Sequence, residues 1–134
     1  MGSFSNYWEN KILDHVFNKA GYGAPTIYVA LSTADPGENG SGLAEPSGNG
    51  YARVQTSASV WNAAASGSLS NSQDITFPEA TGSWGTITHF ALMDASSGGN
   101  VLAYGSLSQS KTVGSGDTVK FTGGSPGGLQ VSLD

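Results

Sequence analysis

The feature that most constrains this chain is the stretch at residues 86–105, TITHFALMDASSGGNVLAYG. Two apolar runs, 87–93 and 101–104, flank a cluster of turn residues, DASSGGN. Asp94 and Asn100 carry short side chains that bond nearby backbone, and Gly98 and Gly99 reach positive φ without steric cost. The pattern predicts a β-hairpin whose loop is longer than two residues. Its first strand is apolar on both faces: Ile87, Ala91 and Met93 on one, Phe90 and Leu92 on the other. A strand covered on both sides belongs in the middle of a domain, and the remaining segments are expected to pack around it.

Ahead of this hairpin, residues 6–20 read as the one helix. Asn6 is the expected N-cap, and Glu9 three residues on gives a capping-box pattern. Trp8, Ile12, Leu13, Val16, Phe17 and Ala20 recur at helical spacing along one face, with Lys11, Asp14 and Asn18 opposite. Gly21 is placed to end it. This face either closes one side of a β core or docks on a neighbouring subunit. Residues 26–32 alternate as a half-buried strand. Residues 33–49, TADPGENGSGLAEPSGN, hold two prolines, four glycines and three acids and read as a long irregular loop. Loops of that length are uncommon unless functional or disordered, so this one is either a partner-binding arm or a mobile surface loop.

Further strands are expected at 51–58, 74–77, 111–113 and 118–121, with residues 63–72 as a loop or sheet edge. Leu129, Val131 and Leu133 alternate in a final strand. One helix and seven or eight short strands between turn clusters predict a mainly β chain: an antiparallel β-sandwich, jelly-roll-like, with one N-terminal amphipathic helix. A length of 134 residues fits a single domain spanning 1–134. Cysteine is absent, which removes disulfides and thiolate metal sites.

Chemistry-bearing patterns are sparse. The two histidines, His15 and His89, lie far apart in sequence, and three or four convergent ligands are needed to hold zinc. No G-x-S-x-G elbow occurs. The ten carboxylates fall mostly in predicted turns, and none is singled out as an acid–base pair. Asp35, Glu38 and Asn39 cluster in the long loop without EF-hand spacing. No cofactor and no enzymatic activity are expected. The net charge is −5, and the five basic residues, Lys11, Lys19, Arg53, Lys111 and Lys120, are scattered, which argues against a nucleic-acid partner. No apolar run is long enough for membrane insertion, and the N-terminus lacks the regions of a signal peptide. Among the aromatics, Trp84 sits between Ser83 and Gly85 at a turn, where it either stacks on a sugar or caps the open end of the sandwich.

The segments WGTITHFALMDASSGGNVLAYGSL, KTVGSGDTVKF and LQVSLD together resemble small tailed-bacteriophage virion proteins labelled tail fibre proteins. NYWENKILDHVF, APTIYVALSTADP and EPSGNGYARV resemble the N-terminal half of the same family, so the likeness runs over roughly residues 7–134. These are structural motifs. The resemblance implies a non-enzymatic structural component of a virion, assembled in the host cytoplasm, of tail-fibre or tail-tip type. Such a protein is expected to self-associate, with a trimer favoured, to bind other virion proteins and to meet a host surface glycan. A head-decoration protein that cements the capsid is one alternative, and a carbohydrate-binding adhesin module is another. The absence of a repetitive shaft weakens the literal fibre reading. The candidate interface residues are Trp8, Ile12, Asp35, Glu38, Leu43 and Trp84.

Overall fold

The computed structural model describes residues 2–132. Its elements in chain order are β1 (Gly2–Phe4), α1 (Asn6–Val16), β2 (Tyr28–Ser32), β3 (Val54–Gln55), a 3₁₀ turn (Ala58–Val60), β4 (Ser68–Ser70), β5 (Ile75–Thr76), β6 (Gly85–Met93), β7 (Val101–Val113), β8 (Lys120–Phe121) and β9 (Gln130–Ser132). The chain is mainly β, with one helix near its N-terminus, as its periodicity predicts. Seven strands form one sheet in the order β3-β2-β6-β7-β1-β9-β4. Its ladders are antiparallel except β1 with β9. A separate two-stranded sheet pairs β5 with β8.

The hairpin of β6 and β7 lies at the centre, as its two apolar faces require. On one face, Ile87, Phe90 and Leu92 join Val29, Leu31, Leu102 and Val113 in the main core. There they meet Ile75, Phe77 and Phe121 from the two-stranded sheet, with Trp84 and Leu129. On the other face, Ala30, Ala91, Met93 and Val101 form a smaller core under Leu43 of the long loop. The second layer of the sandwich is therefore short strands on one side and irregular chain on the other.

Several local expectations are corrected. Ile87 faces the main core with Phe90 and Leu92, and not the side of Ala91 and Met93. The pairing of β6 with β7 jumps from Ile87↔Lys111 to His89↔Ser106, and the bulge reverses the alternation of faces between them. The same jump lets β7 run on through the polar SLSQS segment to Val113. Residues 2–4 add a strand that nothing in the pattern predicts, while Ser68–Ser70 forms the edge strand of the large sheet inside the segment expected as a loop or sheet edge. The strand expected at 51–58 contracts to Val54–Gln55. Leu133, expected in the last strand, lies outside the described residues.

The helix is also shorter than its periodicity suggests. Ser5, not Asn6, is its N-cap, with the side chain accepting the Trp8 N–H at 3.3 Å. Asn18 takes φ 62° and stops the helix before Gly21 is reached. The Asn18 N–H then bonds the His15 carbonyl at 3.2 Å and the Lys19 N–H bonds that of Asp14 at 2.7 Å. This is a Schellman closure, which satisfies carbonyls the helix end would otherwise leave open.

Candidate functional site

The surface features worth weighing come from α1 and from the long loop. α1 is fixed at its start and free at its end. The Ser5 hydroxyl donates to the Val101 carbonyl at 2.5 Å, the Ser5 N–H donates to Leu102 at 2.7 Å, and the Asn6 N–H donates to Glu38 at 2.9 Å. Trp8 lies against Phe4 with ring centroids 4.4 Å apart and planes tilted by 36°, and both pack against the main core. Lys11 holds its ammonium 5.6 Å from the Tyr7 ring centroid. Further along, no residue of the helix is buried. Leu13 is 54% exposed, Val16 67% and Phe17 70%. At spacings of three and four residues these three share one side of the helix. The face expected either to close the core or to dock on a neighbour packs on the core through its first turn, at Tyr7 and Trp8.

After the helix the chain doubles back, and the Tyr22 N–H donates to His15 Nδ1 at 3.2 Å. The Tyr22 hydroxyl is buried and has no partner among the described residues. Burial first, then Tyr7 and Asp94, push its phenol above the usual value.

The loop at 33–49 is anchored along its length. The Thr33 N–H bonds the Ala44 carbonyl at 2.9 Å, and the Ser32 hydroxyl accepts the Ala44 N–H at 3.0 Å. Pro36 is fully buried. The centre of the arrangement is Arg53. Its Nη2 donates to Glu45 Oε1 at 2.5 Å and its Nε to Oε2 at 3.1 Å, while Nη1 reaches the carbonyls of Ala95 at 2.7 Å and Gly98 at 2.8 Å. One guanidinium thus joins the long loop to the hairpin loop. Tyr51 donates its hydroxyl to Glu45 Oε2 at 2.5 Å and accepts the Leu31 N–H at 3.1 Å. Burial pushes the Glu45 carboxyl up, but the bonds from Arg53 and Tyr51 and the Arg53 charge outweigh it and hold the group below its ordinary value. Burial and Glu45 together push the Tyr51 phenol far up.

Of the six candidate interface residues, the fold brings Asp35, Glu38 and Leu43 together beside Tyr104 and sets Trp84 apart in the main core. Trp8 and Ile12 are half-buried on α1. Asp35 is exposed and its Oδ1 accepts the Gly37 N–H at 2.9 Å. Glu38 is exposed and accepts the Tyr104 hydroxyl at 2.8 Å, and burial followed by this carboxylate pushes the Tyr104 phenol up to about 12. Leu43 covers the smaller core. Trp84 departs most from a contact role. It is 4% exposed, donates its Nε1–H to the Asn49 carbonyl at 2.8 Å, and meets the Tyr51 ring edge-on at 5.3 Å. Its polar neighbours face solvent while the indole turns inward, so it offers no stacking face to a sugar.

His89 shares its face with Ala91, not with Ile87. Its Nδ1 lies 2.8 Å from the Thr88 hydroxyl, and the ring borders a hollow of ≈ 360 Å³ with Asp35, Tyr104 and Ser106. Among the described residues no three His, Asp or Glu side chains converge to hold a metal ion. Nor is any helix there long and apolar enough to cross a membrane. Sequence reasoning missed Ser5, Arg53 and Asn71, the residues that tie distant segments together. A serine three residues before Trp8 was the only local signal for the first.

These features define a class: a small β domain, tightly laced within itself, with one amphipathic helix left half uncovered. The chain belongs to the family described as Podophage GP4 fiber I protein gp80, which it matches over residues 3–128. That is a tailed-phage fibre family, so the chain is a virion component of fibre type. No curated protein matches the sequence.

Proposed function

We propose that this domain is a non-enzymatic structural part of a phage tail fibre or tail tip, and that it self-associates through the exposed end of α1. The observation that carries the reading is the contiguous apolar side of Leu13, Val16 and Phe17, each more than half exposed. Single exposed apolar residues are ordinary, but grouped ones mark contact surfaces. A closed homo-oligomer buries the same patch on every copy, and a trimer is the favoured state. Membership of a fibre family supports a tail location over the capsid-cement role. Other virion proteins are its remaining partners. Contact with a host surface falls to the exposed hairpin tip at 96–99 rather than to Trp84.

Sedimentation of the full chain beside a Phe17→Asp variant tests this. The expected result is an oligomer that becomes a folded monomer in the variant, with its cooperative unfolding transition kept. A wild-type chain that stays monomeric at high micromolar concentration contradicts it.

A further inference from the structure

β7 is longer than its neighbours. Its thirteen residues run beside β6 along one edge, but along the other, among the described residues, β1 covers only Ala103, Tyr104 and Gly105. Residues 107–110 leave the ladder with β6 altogether, because pairing resumes only at Lys111. Across from this stretch stands β8, whose strand neighbour among the described residues is β5 alone. Between these two incompletely paired edges lies a cleft of ≈ 870 Å³. Its wall includes Phe90, Leu107, Val113, Val119 and Phe121.

The rim of this cleft is charged in an unusual way for this chain. Two of the five basic residues, Lys111 and Lys120, line it although the net charge is −5. The Asp117 carboxylate beside them is engaged with the Gly114 N–H at 2.8 Å. Lys120 reaches Asp74 at 3.6 Å in an exposed pair, and Lys111 has no ion-pair partner among the described residues.

We propose that this cleft receives an extended, acidic polypeptide segment, which adds a strand to the outer edge of β7. Unpaired strand edges are templates for a further strand, main-chain bonds supply the affinity, and alternate side chains fill the wall. The apolar lining takes every second side chain, and Lys111 and Lys120 take carboxylates at the mouth. A glycan fits these features less well, because it uses neither strand edge. The cleft shares no residue with α1, so the inference stands apart from self-association.

The test pans a randomised decapeptide library against the full chain and maps the selected peptides by amide NMR. Peptides alternating apolar and acidic residues are expected, shifting amides at 106–112 and 119–122. Lys111→Glu is expected to weaken them about tenfold, a change of roughly 1.4 kcal/mol, while Phe17→Asp leaves binding unchanged. No enriched sequence, shifts elsewhere, or equal binding by Lys111→Glu overturns the proposal. So does oligogalacturonate moving these amides when no peptide does, which assigns the cleft to an acidic glycan. Absence of the chain from virions refutes the fibre reading and leaves this binding result standing.

Discussion

Ser5 and Val101, 96 residues apart in sequence, meet where the Ser5 hydroxyl donates to the Val101 carbonyl at 2.5 Å. The same oxygen accepts the Trp8 N–H, so one buried hydroxyl both caps α1 and fastens it to the start of β7. This junction sets where the helix leaves the sheet, and so why its first turn packs while Leu13, Val16 and Phe17 stand in solvent. Replacing Ser5 by Ala is expected to cost about 1–2 kcal/mol, the cap together with a buried hydrogen bond. Denaturant unfolding measures the loss, and an unchanged midpoint would show that the junction is not needed.

The Arg53–Glu45 pair gives a pH dependence with a definite sign. Glu45 ionises below its ordinary 4.5 in the folded chain. Its ionised form therefore adds stability above that pH, and the contribution is lost as the pH falls through the folded value. The melting temperature should drop more steeply on acidification below about 4.5 in the wild type than in Glu45→Gln. Arg53→Met leaves Glu45 without its partner and should cost about 3 kcal/mol at neutral pH.

Trp84→Ala should cost about 3–5 kcal/mol, since it removes a buried indole from the main core. Its Nε1–H bond to Asn49 also ties the end of the long loop to the core. A near-neutral Trp84→Ala, read by thermal unfolding, would mean that the indole sits outside the core after all.

Asn71 is fully buried, and its amide serves four backbone groups. Nδ2 donates to the carbonyls of Gln73 at 2.9 Å, Phe121 at 3.2 Å and Thr122 at 3.3 Å, while Oδ1 accepts the Leu129 N–H at 2.9 Å. Gly127 lies so close that a Cβ there would overlap the Asn71 carbonyl oxygen and Oδ1. Asn71→Leu orphans several buried polar groups at about 1–3 kcal/mol each. Soluble, folded Asn71→Leu protein with a wild-type melting temperature would contradict this account of the 121–129 loop.

What could be read from the sequence was local. The hairpin was legible because Asp94, Gly98, Gly99 and Asn100 lie between two apolar runs, and those runs are β6 and the start of β7. Helix type and start were legible from periodicity, but Ser5 and Asn6 are equally good caps by residue type, and only the bond to Val101 separates them. Its end was misplaced because Asn18 does what Gly21 was expected to do. Periodicity also showed an apolar face without showing what covers it. The bulge that turns Ile87 toward Phe90 depends on the jump in pairing from Lys111 to Ser106 on the distant strand β7, and nothing near Ile87 announces it. Arg53 looked like an ordinary strand residue, because its partners lie on two separate loops. Trp84 read either as a stacking face or as a cap on the sandwich, because its neighbours are small and do not show which way the indole turns.

Quantitative mass spectrometry of purified virions, counting this chain against the major capsid protein, tests the fibre assignment most directly. A handful of copies per particle, in a multiple set by the tail's symmetry, is the predicted result. Hundreds of copies would place the protein on the capsid, and none at all would remove it from the virion.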